Sequence, residues 1–264
     1  MQSAHPLEIP EIVSYVASYV RKRNLTTCAL VSKTWYQAFN PFIWHDINCE
    51  FEGPYLPEAL HRHTQLVRTL KADYSSGKEG RKKLLDLRFP NLVSLDLSII
   101  LLHEDMKEWV LDHSSVTHLN LNASDLNPVF WSTLFGFRHL KNLTVWRLEL
   151  SGKDVDTFWQ LCTHLERLEV FFPKISYPGN TLSMEFLSIK EFKLCYFNHK
   201  VEDFIPKFLQ RCPSLTSFWV YGKDSPEFIS SISELVAART WPHLHSITIM
   251  ACKIASDTRS KIIR

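Results

Sequence analysis

The residues most able to support catalysis or metal binding are the 12 histidines. His61 and His63 lie two positions apart and could chelate a metal ion, but no third ligand follows at a suitable spacing. His139, His164 and His243 each precede the first residue of a recurring apolar phrase, described below. An active site occurs once, so a recurring structural position explains these three histidines better than catalysis does.

The cysteines are scattered, and they are Cys28, Cys49, Cys162, Cys195, Cys212 and Cys252. None forms a Cys-x-x-Cys pair, so the sequence predicts neither a zinc site nor a redox pair. Scattered cysteines usually behave as small apolar residues in a reducing compartment, which favours the cytosol or nucleus. No serine or cysteine has the flanking pattern of a nucleophile. The 7 glycines and the lack of a Gly-rich phosphate motif count against a nucleotide-binding enzyme, and we expect no cofactor.

The charge and hydropathy patterns exclude several classes of partner. The net charge of +2 is too small for general binding to nucleic acid or acidic membranes. Arg81, Lys82 and Lys83 could contact phosphate, but a solvated loop is the ordinary explanation. The apolar run Leu97–Leu102 is far shorter than the roughly 20 residues of a membrane helix. We therefore expect no nucleic-acid partner and no membrane association.

An apolar-x-x-apolar-x-apolar phrase recurs eight times. The phrases start at Val67, Leu92, Val116, Leu140, Leu165, Ile189, Leu215 and Leu244. Successive starts differ by 25, 24, 24, 25, 24, 26 and 29 residues. The last two apolar residues of each phrase alternate with other side chains, which predicts a strand with one buried face.

Amphipathic stretches of helical period separate several of these phrases. They are His103–His113, Lys153–Thr163, Val201–Arg211 and Glu227–Arg239. Ser225 is a predicted N-cap with Pro226 at the first helical position, whereas residues 75–83 predict a surface loop. Each strand-plus-helix unit has too little core to fold alone, so neighbouring units must stack.

This period and element order resemble the leucine-rich-repeat family, although the asparagine-or-cysteine position of its consensus is poorly kept. The resemblance implies an α/β solenoid over residues 47–264, with about eight repeats. Its parallel strands would line the concave side and its helices the convex side. The chain ends at Arg264 without a complete helix or an evident cap after the last phrase, as a truncated array would.

The first 46 or so residues do not fit the repeat and predict three short helices. An apolar stripe at helical spacing marks the first helix, and it comprises Ile9, Ile12, Val13, Val16 and Val20. We assign Val13, Val16 and Val20 to the core. Asn24 is a predicted cap for residues 25–30, and Ser32 for residues 33–39. Pro41 is expected to end the third helix.

Three short sequence motifs indicate which kind of domain these helices form. They are Ile9-Pro10-Glu11-Ile12, Leu30-Val31-Ser32-Lys33-Thr34-Trp35 and Pro41-Phe42-Ile43-Trp44. Together they resemble an F-box over about residues 4–46, with an opening phrase shortened by one residue. The longer form from Pro6 to Ile12 also resembles F-box proteins of fungi. In this family the F-box binds a Skp adaptor, which links it to cullin and RING subunits.

The resemblance implies which residues contact the adaptor. They are Pro6, Leu7, Ile9, Pro10, Glu11, Ile12, Leu30, Val31 and Lys33. An adaptor that covers an apolar helix surface would explain the apolar members of this set. The alternative is that these side chains are core. Trp35 and Trp44 are expected to pack the helices together and against the first repeat.

The strand positions that alternate with the buried ones are expected to bind a client protein. The early strands carry small polar residues there, whereas the later ones carry Trp146, Phe171, Trp219 and Tyr221. Large aromatic side chains on such a surface are hot-spot candidates. The charged candidates for client selectivity are Arg167, Glu169, Glu191 and Lys193. Alternatively, a terminal loop or a further segment covers the rings.

The resulting hypothesis is a non-catalytic substrate receptor of a Skp–cullin–F-box ubiquitin ligase. One end of the chain would bind the ligase and the other an unidentified client. A first alternative is a ligase-independent interaction scaffold, in which the N-terminal helices only cap the repeats. A second is a solenoid regulator of an enzyme, or an enzyme, which a buried cluster of convergent titratable groups would favour.

Overall fold

The computed structural model describes residues 6–50, 58–73, 78–101, 104–122, 126, 128–151, 153–175, 184–196, 204–222 and 226–251. The chain divides into two compact units, Met1–Ser94 and Leu95–Arg264.

The first unit begins with three helices around a small apolar core. A 3-10 helix (Pro6–Glu8) precedes α1 (Pro10–Tyr19), α2 (Lys22–Ala29) and α3 (Lys33–His45). The buried side chains of this core are Val13, Ala17, Leu25, Ala29 and Phe39. Val16 and Val20 are partly buried and pack against it, so the assignment of the valine stripe to the core is confirmed.

The caps of these helices differ in part from the prediction. Ser32 caps α3 as expected, because its side-chain oxygen accepts a hydrogen bond from the Trp35 amide at 3.2 Å. The prediction of an Asn24 cap is wrong, since α2 begins at Lys22. The Asn24 amide donates to the Arg21 carbonyl at 2.8 Å, so Asn24 lies within the first turn of the helix and does not precede it.

Pro41 does not end the third helix, which continues to His45. Proline lacks an amide hydrogen and therefore removes one backbone hydrogen bond from a helix interior. Phe42 and Ile43 pack against the core of the three helices. Their burial supplies the stabilisation that offsets the missing hydrogen bond.

The remainder of the first unit contains two strands. β1 (Asp46–Glu50) pairs in parallel with β2 (Thr69–Asp73), and α4 (Glu58–His63) and a 3-10 turn (Thr64–Leu66) precede β2. β1 lies outside the repeating phrases and was not predicted.

The predicted loop over residues 75–83 is wrong for residues 78–83, which belong to α5 (Lys78–Leu85). Residues 75–77 lie outside the described ranges. Lysine, glutamate and arginine are good helix formers, and Leu84 is fully buried. Lys82 and Lys83 are exposed, so they lie on the solvent side of a helix that Leu84 anchors.

Each of the eight apolar phrases contains residues of a strand. The first phrase lies at β2 of the first unit, and the seven later phrases lie at strands of the second unit. In chain order its strands are β3 (Ser94–Leu101), β4 (His118–Asn122), β5 (Asn142–Trp146), β6 (Glu149–Leu150), β7 (Arg167–Phe171), β8 (Lys174–Ile175), β9 (Glu191–Cys195), β10 (Ser217–Gly222) and β11 (Ser246–Ala251). From β4 onward the long strands pair in parallel in the order β4-β5-β7-β9-β10-β11. β6 and β8 form a separate parallel pair. The prediction of an α/β fold with a parallel sheet is therefore confirmed.

The helices of the second unit lie between these strands in the chain. They are α6 (Glu104–Leu111), α7 (Pro128–Leu134), α8 (Lys153–Cys162), α9 (Phe204–Gln210) and α10 (Pro226–Ala237). Four of them match the predicted amphipathic stretches, and α7 was not predicted. α10 starts at Pro226 as expected, whereas the predicted cap Ser225 lies outside the described residues.

Apolar side chains of strands and helices form the core of this unit. On β5 and β7, Leu143, Val145, Leu168 and Val170 are all buried, and the side chains between them are half-buried. The helices contribute large aromatic residues such as Trp131, whose ring packs edge to face on Phe158 at 5.1 Å between centroids. Each fully buried side chain contributes about 1.5–3 kcal/mol.

The residues after β5 and β7 have left-handed backbone conformations. Arg147 has φ 54° and Phe172 has φ 55°, values that are uncommon for residues other than glycine. The Arg147 amide donates to the Phe171 carbonyl at 2.7 Å, and the Phe172 amide donates to the Cys195 carbonyl at 2.7 Å. The same turn therefore follows both strands and leads the chain into β6 and β8.

Gly222 provides a test of the packing at the end of β10. A Cβ atom added there would lie 2.3 Å from the Tyr196 ring, which is buried. We expect Gly222→Ala to lower the free energy of unfolding by about 1–3 kcal/mol, because the ring must shift in a packed core. Urea unfolding monitored by circular dichroism measures the loss.

Gly136→Ala is the matched control for this substitution. Its added Cβ would meet only the Thr133 carbonyl at 3.1 Å, so a smaller loss is expected. Equal midpoints for the wild type and Gly222→Ala would contradict the close approach of the Tyr196 ring.

Candidate functional site

The residues predicted to contact the adaptor lie largely on the surface of the first unit. Ile9 is half-buried, and the other eight are exposed, namely Pro6, Leu7, Pro10, Glu11, Ile12, Leu30, Val31 and Lys33. Leu30 and Val31 are 85% and 64% exposed, which is unusual for apolar residues of this size. The structure thus leaves these side chains accessible to a partner.

Trp35 connects the two predicted contact stretches. Its indole Nε1 donates a hydrogen bond to the Leu7 carbonyl oxygen at 3.1 Å. Its ring stacks on buried Phe39, with centroids 5.2 Å apart and an interplanar angle of 5°. The 3-10 helix that carries Leu7 is therefore held to α3, whose N-cap residue, Ser32, directly follows Val31. The packing role predicted for Trp35 is consistent with these contacts.

Trp44 packs within the first unit as well. Its ring stacks on His63 with centroids 4.6 Å apart, and its Nε1 donates to Asn40 Oδ1 at 3.0 Å. His63 therefore has a packing role, whereas His61 is exposed.

Within the described residues, no three histidine, cysteine or acidic side chains lie close enough together to hold a metal ion.

The sequence interpretation missed an aromatic pair on α1. Tyr15 and Tyr19 are 67% and 73% exposed, and their ring centroids are 5.0 Å apart. The Tyr19 hydroxyl donates to the Tyr15 hydroxyl oxygen at 3.0 Å, and this bond raises the pKa of Tyr19. The signal was present in the sequence, because both residues lie outside the valine stripe and four positions apart.

The predicted client residues lie on one face of the parallel sheet in the second unit. The register aligns three rows across β4, β5, β7, β9, β10 and β11. The first row is His118, Asn142, Arg167, Glu191, Ser217 and Ser246. The second is Asn120, Thr144, Glu169, Lys193, Trp219 and Thr248. The third is Asn122, Trp146, Phe171, Cys195, Tyr221 and Met250. The structure thus places all eight predicted residues on adjacent strands.

The aromatic members form two groups in these rows. Trp146 and Phe171 stack with centroids 4.0 Å apart and planes 9° apart. Trp219 and Tyr221 are also nearly parallel, with centroids 5.9 Å apart. Phe172, which the sequence interpretation missed, lies 6.2 Å from Trp146 between centroids and is 36% exposed. The second and third rows therefore carry partly accessible aromatic side chains on β5, β7 and β10, whereas the first row carries none.

Asn120 fixes the orientation of the Trp146 ring. The Trp146 Nε1 donates to Asn120 Oδ1 at 3.0 Å across neighbouring strands. Cross-strand hydrogen bonds and ring stacking together restrict the rotamers of this side chain. The Trp146–Phe171 surface is consequently preorganised.

The four charged candidates form one ion cluster. Glu169 Oε1 accepts hydrogen bonds from Arg167 Nη2 at 2.6 Å and Nε at 2.8 Å. Lys193 Nζ lies 2.9 Å from the same oxygen, and Arg167 Nη1 lies 3.2 Å from Glu191 Oε2. Two positive and two negative groups are therefore paired with one another.

Glu169 is the centre of this cluster, and its carboxylate is ionised. Burial favours a higher pKa, but the hydrogen bonds and charges of Lys193 and Arg167 outweigh burial, so the pKa of Glu169 is lowered. Its side chain is only 13% exposed. Glu169 therefore holds neighbouring strands together, and less of its charge is available to a partner than the sequence suggested.

The remaining candidates for chemistry have ordinary environments. His139, His164 and His243 are exposed, as repeated surface positions would be. Burial raises the pKa of Cys49 to about 11 and also raises the pKa values of Cys162 and Cys212. Thiols with raised pKa values are poor nucleophiles near neutral pH.

The described helices also bear on membrane association. None of the helices in the described ranges combines the length and the apolar character that crossing a membrane requires.

Comparison with known families identifies the N-terminal helices. A family described as F-box-like matches residues 10–50. The match covers α1 to α3 and β1, and it supports the identification of an F-box in this chain. No curated protein matches the sequence. The predicted domain boundary at residues 46 and 47 stays a prediction.

Glu169→Gln tests the ion cluster. The variant removes the charge that Arg167 and Lys193 share, so we expect the free energy of unfolding at pH 7 to fall by about 1–2 kcal/mol. The control is Glu149→Gln, which removes the exposed ion pair with Lys174 and should cost less than about 0.5 kcal/mol.

The pH dependence of this difference gives a second readout. Because the pKa of Glu169 is lower in the folded chain, its stabilisation is complete above the ordinary value of 4.5 and is lost as pH falls through the folded pKa. The difference between wild type and Glu169→Gln should therefore shrink as pH falls below 4.5. Guanidinium titrations at several pH values would show a constant difference if the cluster were unimportant.

Proposed function

We propose that the chain is the substrate-recognition subunit of a Skp–cullin–F-box ubiquitin ligase. The observation that carries the proposal is the F-box-like match over residues 10–50, together with the exposure of Leu30 and Val31 in that domain. F-box proteins are generally non-catalytic adaptors. The chain would act by proximity, since it holds a client near the ubiquitin-carrying enzyme and performs no chemical step itself.

Adaptor binding would cover the exposed apolar surface of the first unit. Leu30 and Val31 lie in the turn between α2 and α3, where the Leu30 amide donates to Thr27 and the Val31 amide to Cys28. These bonds fix the turn while both side chains point outward. Removal of such side chains from water on binding releases free energy, at about 25 cal/mol for each Å² of apolar surface. A Skp-family adaptor is the partner that the F-box resemblance implies.

Leu7 and Ile12 would extend this contact. They are 43% and 38% exposed, and the Trp35 hydrogen bond to the Leu7 carbonyl holds the 3-10 helix against α3. The two contact stretches, separate in sequence, are thus joined by one side chain. A preorganised surface of this kind loses less conformational entropy on binding than a mobile one.

We propose further that residues 47–264 form a diverged leucine-rich-repeat array. The support is the spacing of 24–29 residues between phrases and the parallel, in-register pairing from β4 to β11. The left-handed turns at Arg147 and Phe172 repeat in the same position. The resemblance to fungal F-box proteins rests on residues 6–12 and remains part of this proposal.

The client-binding surface would be the aromatic part of the three rows. Trp146, Phe171, Trp219 and Tyr221 are half-buried, so their rings are partly accessible. Aromatic residues are enriched among side chains that dominate binding energies. The cytosol and nucleus are the compartments that the proposal implies.

Leu30→Ser combined with Val31→Ser tests the adaptor contact. We expect the affinity of the full chain for a purified Skp-family adaptor to fall at least about tenfold, because the apolar contact is lost. Exposed side chains contribute little to folding, so the unfolding midpoint should stay nearly constant. Isothermal titration calorimetry measures the affinity.

Val129→Ser serves as the control for the adaptor test, since Val129 is 69% exposed on α7. It should bind the adaptor like the wild type. A wild-type chain that fails to bind any Skp-family adaptor would instead favour the scaffold alternative.

Trp146→Ala and Trp219→Ala test the client surface. Each should abolish client capture in cells, because large interfacial rings are removed, and should leave adaptor binding intact. Quantitative mass spectrometry of purified complexes compares each variant with the wild type. Phe135→Ala is the control, since Phe135 is a 46% exposed aromatic residue outside the three rows. Unchanged capture, or joint loss of client and adaptor, would contradict the assignment.

A further inference from the structure

The last strand of the parallel sheet has an apolar side that is incompletely buried. Among the described strands, β11 stands at the end of the pairing order, next to β10. Leu244, Ile247 and Ile249 of the last apolar phrase are partly exposed. The three corresponding residues of the preceding phrase, which starts at Leu215, are at most 2% exposed. The side of β11 turned away from β10 therefore lacks the apolar cover that the preceding strand has.

The helix before β11 carries exposed apolar side chains as well. On α10, Ile229 is partly exposed and Val236 is 43% exposed. These two residues lie seven positions apart, which places them on the same side of the helix. We call the set Ile229, Val236, Leu244, Ile247 and Ile249 the terminal face.

α8 shows what covers the same helix position in an earlier unit. In α8, Trp159 directly follows the buried Phe158. In α10, Ile229 directly follows the buried Phe228. Trp159 is only 4% exposed, because its ring packs against Phe208 of the next helix, α9, at 5.1 Å between centroids. In that unit, the part of the chain that follows supplies the cover.

Residues 252–264 are the part of the chain that follows β11, and they lie outside the described residues. In the preceding unit the connection is short, since β10 ends at Gly222 and α10 begins at Pro226. Residues 252–264 could span up to roughly 43–47 Å when extended. The 12 residues of α10 extend over only about 18 Å. The segment is therefore long enough to return along the terminal face.

The composition of residues 252–264 suits a cover of this kind. Three large apolar residues are available to the terminal face, namely Ile254, Ile262 and Ile263. The charged residues of the segment are Lys253, Asp257, Arg259, Lys261 and Arg264. The terminal unit of a stacked array needs a polar outer surface, which these charged side chains would supply.

We propose that residues 252–264 cover the terminal face, with Ile254, Ile262 and Ile263 against its apolar side chains. β11 (Ser246–Ala251) has no charged residue, although charges are a common protection of edge strands against pairing with another chain. The cover would protect this edge instead and would keep a second copy from adding to the sheet. The inference concerns a contact within the chain and goes beyond the proposed function.

A photoreactive label on the full chain tests the contact directly. A diazirine analogue of lysine replaces Lys261, and chains with natural isotopes are mixed with equal amounts of ¹⁵N-labelled chains before irradiation. We expect mass spectrometry to show crosslinks from position 261 to residues 226–251 within one isotopic form. The control places the analogue at Lys141, an exposed lysine that precedes β5, four strands from β11 in the sheet order. The control should not crosslink to the terminal face.

Two double variants form a matched pair for a second readout. Ile262→Ser with Ile263→Ser removes apolar contact and should accelerate amide hydrogen exchange of residues 226–251 at least about tenfold, because local opening becomes easier. Ile262→Val with Ile263→Val keeps the apolar contact and should exchange like the wild type. Thermal unfolding checks that both variants fold. If the serine variant does not fold, the crosslinks alone decide.

Three results would overturn the inference. They are the absence of crosslinks to the terminal face, crosslinks that join only different isotopic forms, and equal exchange rates in the serine and valine variants. Crosslinks between isotopic forms would show that a second copy covers the face. Adaptor affinity measured on the same preparations separates this inference from the ligase proposal. A chain that binds the adaptor without the expected crosslinks loses the inference alone, and a crosslinked chain that binds no adaptor loses only the ligase proposal.

Discussion

Neither a strand nor a helix of the second unit can bury its apolar side alone, and this constraint organises the rest of the structure. Leu143 and Val145 of β5 are fully buried, as are Val155 and Phe158 of α8. Apolar surface on both elements must be removed from water, so successive strands pair in register and their helices pack beside them. Because alternate strand residues point the opposite way, the side chains of the three rows other than Asn122 and Cys195 remain at least partly exposed.

The N-terminal helices also bury apolar side chains, but they do so in a separate core of their own. Their core is small and contains Val13, Ala17, Leu25, Ala29 and Phe39. A three-helix unit of this size has little interior, so further apolar side chains remain on its surface. Under the proposed function, an adaptor that covers those side chains would remove them from water. The exposed turn at residues 30–31 is the part of this surface with the largest exposed fractions, 85% for Leu30 and 64% for Val31.

Much of the fold follows from periodicity, and the exceptions have local causes. The eight phrases predict strands because each places two apolar residues on one face, and a strand lies at each phrase. β1 was missed because Asp46–Glu50 carries only one such pair, Ile47 and Cys49, without the phrase. Pro41 was overinterpreted, because the burial of neighbouring Phe42 and Ile43 outweighs the loss of one helical hydrogen bond.

For the candidate site, the sequence predicts which residues share a face of the sheet but not how their side chains are oriented. Alternation predicts which side chains share a face, so Trp146 and Phe171 could be placed together in advance. Alternation does not give ring orientation, so neither the parallel stack of the two rings nor the hydrogen bond from Trp146 to Asn120 could be predicted. Nor does it reveal that Arg167 and Glu169 bond to each other, because that depends on rotamers.

The paired charges of the sheet face have a kinetic consequence. Opposite potentials accelerate protein encounters by long-range attraction, whereas a locally neutral surface gives ordinary association rates of about 10⁵–10⁶ M⁻¹s⁻¹. With Glu169 bonded to both Arg167 and Lys193, this face has little field with which to attract a distant molecule. Under the proposed function, a client held there would be selected by how slowly it leaves, and its residence time would govern whether its modification is completed.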